Sequence, residues 1–151
     1  MRGQISTELM VIVALVLLIF IPLLVLVYFK ANEANQQIAA YQAELAVFRI
    51  AYLANAVGSL GTNTSVTTDV YLPQNLMSFW TNSSGMGGEM DMQVNTPQGP
   101  SDIVEIVDYP VANPGILANQ ANAGGQIKLL ITSQFDTNTN KALLSITKVS
   151  G

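Results

Sequence analysis

The sequence predicts an α+β protein: one long N-terminal α-helix with a small antiparallel β-sheet head packed on the helix's C-terminal half. Three observations lead there. Leu9 to Phe29 is an unbroken run of 21 residues with no charged or amide side chain. The stretch that follows, "KANEANQQIAAYQAELAVFRIAYLANAV", is rich in good helix formers. From Gly58 onward, Gly, Pro, Asn, Ser and Thr punctuate short β-type runs.

The first element covers residues 4–30. About 20 apolar residues suffice to cross a bilayer core as a helix, so the run is read as a transmembrane or bundle-core helix. A secretory signal peptide has a shorter apolar core and a small-x-small cleavage site after it, and "KANEANQQ" offers only a poor one. Pro22 lies inside the run. It removes a backbone N–H and crowds the preceding turn, so a kink or local loosening is expected there.

The second element, residues 31–58, continues the helix. Ile38, Tyr41, Leu45, Phe48 and Tyr52 recur at spacings of three, four, three and four, which makes an apolar stripe along one face. That stripe is expected to cover one face of the sheet. Gly58, followed by "SLG", reads as the helix stop. From Ser6 to Val57 such a helix is roughly 78 Å long at 1.5 Å per residue.

The third element, residues 59–151, is the head. Strands are expected at Ser65–Leu72, Leu76–Trp80, Glu89–Val94, Ile103–Val107, Ile127–Phe135 and Ala142–Val149, in one sheet of four to six strands. The last two flank "DTNTNK" and read as a hairpin. "VANPGILANQANAGG" reads as a loop.

Composition removes several functions. There is no cysteine and no histidine, so thiolate sites, disulfides and the commonest general base are absent. No nucleophile elbow or phosphate loop is present either. An enzyme is not expected, nor a cofactor. The net charge is −4. The six basic residues are scattered, which speaks against direct nucleic-acid binding.

The N-terminus carries a specific pattern. "MRG" precedes Gln4, Ser6 and Glu8, and only apolar residues follow. This resembles the archaeal class III signal peptide, which a prepilin-type peptidase cuts after the glycine and before a glutamine. Gln4, Ser6 and Glu8 match the family's glutamine, serine and glutamate; Ile12 stands where the family has leucine. The likeness is detailed over about the first 30 residues. It extends loosely to the layout of the whole chain, which looks like a type IV-like pilin.

The resemblance implies that residues 1–3 are a leader, with the cut at Gly3–Gln4. It implies a precursor held in the membrane and then an extracellular surface filament, polymerised through the helix. The head would be exposed outside, with adhesion as its role. The implied partners are other copies of the chain, the prepilin peptidase, the pilus assembly platform with its ATPase, and the membrane before assembly. The alternative is a single-pass anchored extracellular binding module that stays monomeric.

Physical chemistry gives Glu8 a reason to be there. A carboxylate near the end of an apolar helix is costly in lipid unless it is paired or interfacial. If Gly3–Gln4 is cut, the new α-amino group lies about one turn before Glu8. Glu8 could then pair with the amine of a neighbouring subunit and fix the axial stagger, an assembly role that Pro22 could share. The plain alternative is that Glu8 complements the helix dipole, worth about 0.3–1 kcal/mol.

Weaker signals lie in the head. Asn63 and Asn82 begin N-glycosylation sequons, as an extracellular surface would allow. Asp136, Asn138 and Asn140 spell the start of a calcium loop. Lys141 stands at its glycine position and Thr147 at its glutamate, so a turn is the better reading. Glu89 and Asp91 share one strand face and, like Asp102, Glu105 and Asp108, read as solvated edge charges. Phe79 and Trp80 read as core rather than as an adhesive patch.

Overall fold

A computed structural model describes residues 2–85, 87–137 and 140–149, with side chains described from residue 7 onward except at 84. The chain is α+β, as the sequence predicts. One helix, α1 (Arg2–Leu60), leads seven strands: β1 (Ser65–Tyr71), β2 (Leu76–Ser84), β3 (Gly87–Thr96), β4 (Gly99–Val107), β5 (Gly115–Asn119), β6 (Gln126–Asp136) and β7 (Lys141–Val149). Two compact units divide the chain, Met1–Asn35 and Gln36–Gly151.

The first unit is helix alone. Every large apolar side chain from Leu9 to Phe29 is at least 46% exposed. The helical assignment runs through Pro22 without a break. A helix that is apolar all round has no stable place in water, so its solvent is lipid or other helices.

The second unit holds the core. One sheet has the order β1-β6-β7 and the other β4-β3-β2-β5, and every neighbouring pair is antiparallel. The single sheet expected from sequence is therefore two. The expected hairpin of the last two strands is present, with Asp136 paired to Lys141 and Phe135 to Ala142. Period-two alternation puts Ile127, Leu129 and Ile131 of β6 inward, and Met90, Met92 and Val94 of β3 likewise. These residues join Phe79, Leu144 and Ile146 in one cluster with the second part of α1.

The sheets meet beyond β4. Val111 forms an isolated parallel bridge with Leu144 of β7. The Asn113 side chain donates to the Ile146 carbonyl at 2.9 Å and accepts from its N–H at 3.1 Å. A side-chain amide thus satisfies the backbone groups of an edge strand, which would otherwise be open to pairing.

Three further expectations need correction. The segment read as a loop contains β5, which pairs with β2, and a 3₁₀ turn at Gln120–Asn122. Gly58 does not end the helix: α1 runs on to Leu60, and Gly61 with φ 97° takes the left-handed position after it. The third concerns which face of α1 the head covers. The buried residues are Ala39, Ala43, Ala46, Val47, Ile50, Ala51, Ala54, Val57 and Gly58. Ile38, Tyr41, Leu45, Phe48 and Tyr52 are all exposed, by 54% to 68%. The sheets choose the small-residue face because alanine lets strand side chains approach the helix backbone closely, and bulky rings would hold them off.

Two contacts fix the β4–β5 connection on the helix end. The Tyr109 ring lies over Gly58 so closely that a Cβ there would overlap it. The Asp108 N–H donates to the Asn55 side-chain oxygen at 2.9 Å. Gly58 is a docking position, not a stop.

Candidate functional site

The candidate site is the N-terminal part of α1. Helix begins at Arg2, so Gly3, Gln4 and Ser6 lie in its first turns, and their side chains fall outside those described. Glu8 is exposed on the helix, and Val11 and Ile12 after it are 65% and 60% exposed. With α1 starting at Arg2, Glu8 stands beyond the first turn, where the helix dipole has largely faded. Glu8 has no ion pair among the described residues, whereas farther along the helix Lys30 Nζ pairs with Glu33 Oε2 at 2.8 Å. Its carboxylate is therefore an exposed charge at the head of an exposed apolar segment.

The segment is long and apolar enough to cross a membrane. Within Thr7–Leu60 the mean hydropathy of an 18-residue window reaches 3.5, and none of that window is buried. Such a helix near an N-terminus marks membrane insertion or a signal sequence. Pro22 sits among these exposed residues.

The sequons lie on the head. Asn63 is exposed in the connection between α1 and β1, with φ 65°, and its N–H donates to the Ser133 carbonyl at 2.9 Å. Asn82 is exposed on β2, and its side-chain oxygen accepts from the Ser83 N–H at 2.9 Å. Asn138 of the calcium-like stretch lies outside the described residues. Asp136 and Asn140 close the β6–β7 turn through Asn140 N–H to Asp136 C=O at 2.9 Å. No group of three or more His, Cys, Asp and Glu that could hold a metal occurs among the described residues.

The outer face of the four-stranded sheet carries Glu89, Asp91 and Asp102, whereas Glu105 pairs with Met90 on the other face and Asp108 follows β4. The pairing register sets Val104, Asp91, Trp80 and Ile116 in one row across β4, β3, β2 and β5. Phe79 is wholly buried, as expected, but Trp80 points outward and is 38% exposed. The apolar neighbours push the Asp91 carboxyl above its ordinary range. Asp102 and Glu89 push it the same way, while the Trp80 side chain, hydrogen-bonded to it, pulls it down. Glu89 and Asp91 do share a face, as the alternation predicts. Asp102 accepts from the Gln93 side chain at 2.9 Å.

Sequence reasoning missed Asn55, Tyr109 and Asn113. Their only signal was polarity or size within otherwise loop-like or helical stretches. No protein-family description, curated protein or solved structure matches this chain. The architecture itself, a long apolar N-terminal helix followed by antiparallel sheets, is pilin-like.

Proposed function

We propose that this chain is a structural subunit of an extracellular type IV-like filament, with no enzymatic activity and no cofactor. It is made as a membrane-held precursor, cut between Gly3 and Gln4 by a prepilin-type peptidase, and polymerised by an assembly platform and its ATPase. The head forms the outer, adhesive surface, and glycans on Asn63 and Asn82 suit that exposure. No direct contact with nucleic acid is part of this reading.

The observation that carries the proposal is the first unit of α1. It is an exposed apolar helix that bears a carboxylate, Glu8, directly behind the Gly-Gln pattern. An anchor gains nothing from that carboxylate. A filament does: helices packed side by side place each Glu8 near a neighbour's new amine. Lipid and a helix bundle are equally apolar, so assembly draws on close packing and on this pairing. A head-to-tail contact that does not close makes an open helical polymer.

The test is the N-terminal residue of the protein in sheared cell-surface material, read by mass spectrometry. A chain starting at Gln4 in the high-mass fraction is the expected result. A chain found only in membranes with the leader attached overturns it in favour of an anchored, monomeric binding module.

A further inference from the structure

The aromatic stripe that the head leaves uncovered has the pattern of a helix–helix seam. Ile38, Tyr41, Leu45, Phe48 and Tyr52 fill successive a and d positions of a seven-residue repeat. In the sequence the same spacing continues backward through Ala34 and Ala31, the two apolar residues of the polar stretch "KANEANQQ". Within the second unit these five side chains form a contiguous exposed apolar strip on the order of several hundred Å², a size that marks an interaction surface.

The charges beside the strip say what covers it. With Leu45 at a, Glu44 falls at the preceding g position and Arg49 at the following e position, five residues apart. In a parallel pair without axial offset, a g residue faces the e residue five positions on in the partner. Glu44 of each chain then meets Arg49 of the other, twice by symmetry, and Gln37 meets Gln42 in the same way. An antiparallel pair would instead set g positions opposite g and e positions opposite e, so Glu44 and Arg49 would not face each other. A lipid surface would have no use for opposite charges placed on the two sides of one stripe. The head occupies the opposite face of the helix, through Ala43, Val47, Ile50 and Ala54, so it leaves room for a partner helix.

We propose that a second copy of this chain docks here, forming a parallel, in-register helix pair along Ile38–Tyr52 with Glu44–Arg49 cross-pairs. The pair belongs to the unassembled, membrane-held chain, a state that the anchored and the filament readings share, and a filament would replace it with an offset contact, so it does not rest on the filament reading.

The chain has no cysteine, so single substitutions report proximity cleanly. The full chain, unassembled in detergent micelles, is oxidised as Leu45→Cys and, for comparison, as Thr67→Cys on the exposed side of β1. A disulfide-linked dimer through Leu45→Cys, and little through Thr67→Cys, is expected. Glu44→Arg or Arg49→Glu alone should lose most of that cross-link, and the two together should restore it. These positions lie outside the head's core, and an unchanged near-ultraviolet circular dichroism spectrum verifies folding in each variant. A monomer under all conditions overturns the proposal. So does preferential cross-linking between a Leu45→Cys chain and a Phe48→Cys chain, the mark of an antiparallel pair, or charge reversals without effect.

Discussion

At Gly58, the missing side chain is what admits the Tyr109 ring onto the last turns of α1. Alanine is intrinsically a better helix residue by about 0.8–1 kcal/mol. Overpacking against an aromatic ring costs about 1–3 kcal/mol, and this ring is itself packed against the core cluster. Gly58→Ala should therefore lower the head's melting temperature, measured by circular dichroism, whereas the same change in a Tyr109→Ala background should raise it. Asp91 makes a second residue-level case. Its carboxyl is held above the ordinary aspartate range in the folded chain, mainly by desolvation. The folded state then binds its proton more readily than the unfolded chain does, so this site's contribution to stability falls as pH rises through the window between the two values. The penalty is complete above the raised value and vanishes below about pH 4. Asp91→Asn should accordingly raise the melting temperature at pH 7, with a gain that shrinks as pH falls. A gain that grows toward low pH would show that the Trp80 contact outweighs desolvation.

The elements differ in how much of them could be read in advance. β6 and β7 were legible because apolar and polar residues alternate around a turn-rich stretch, and the register confirms the hairpin. β5 was not, because its five residues sit between Pro114 and a run of Asn, Gln and Gly, and pairing with β2 supplies what local propensity lacks. For α1, the spacing of Ile38, Tyr41, Leu45, Phe48 and Tyr52 gave the helix correctly but assigned its buried face wrongly. Periodicity marks a stripe and is silent about what the stripe meets. This helix has two stripes, and the alanine-rich one takes the sheets because it allows the closer approach. The assignment predicts opposite outcomes for neighbouring residues. Ile50 is fully buried, so Ile50→Ala should cost the head about 2–5 kcal/mol in denaturant unfolding. Phe48 is 57% exposed, so in the monomeric chain Phe48→Ala should stay within about 0.5 kcal/mol. The reverse order would return the aromatic stripe to the core.

Across the whole molecule, the two units ask for different solvents. The core cluster draws its helical residues from Ala43 to Val57, so the head closes on the second part of α1 in water. The first unit buries none of its large apolar side chains from Leu9 to Phe29 and needs an apolar surround. Hydrophobicity places that helix in a bilayer but does not select one helix partner or one axial offset, since lipid tails and helices are alike in polarity. Selection must come from a polar group, and Glu8 is the acid at the start of the apolar segment. If it pairs with the amine of a neighbouring, processed chain, its removal should spare insertion and abolish the stagger. Glu8→Ala should therefore reach the membrane in normal amount, with its head folded, and yield few or no filaments in sheared surface material. Glu8→Gln, which keeps the size but not the charge, should behave like Glu8→Ala if attraction to the amine is what counts. Normal filaments from both variants would remove the registry role and leave close packing as the whole basis of assembly. Filaments from the glutamine variant alone would mean that a hydrogen bond, and not a charge pair, sets the offset.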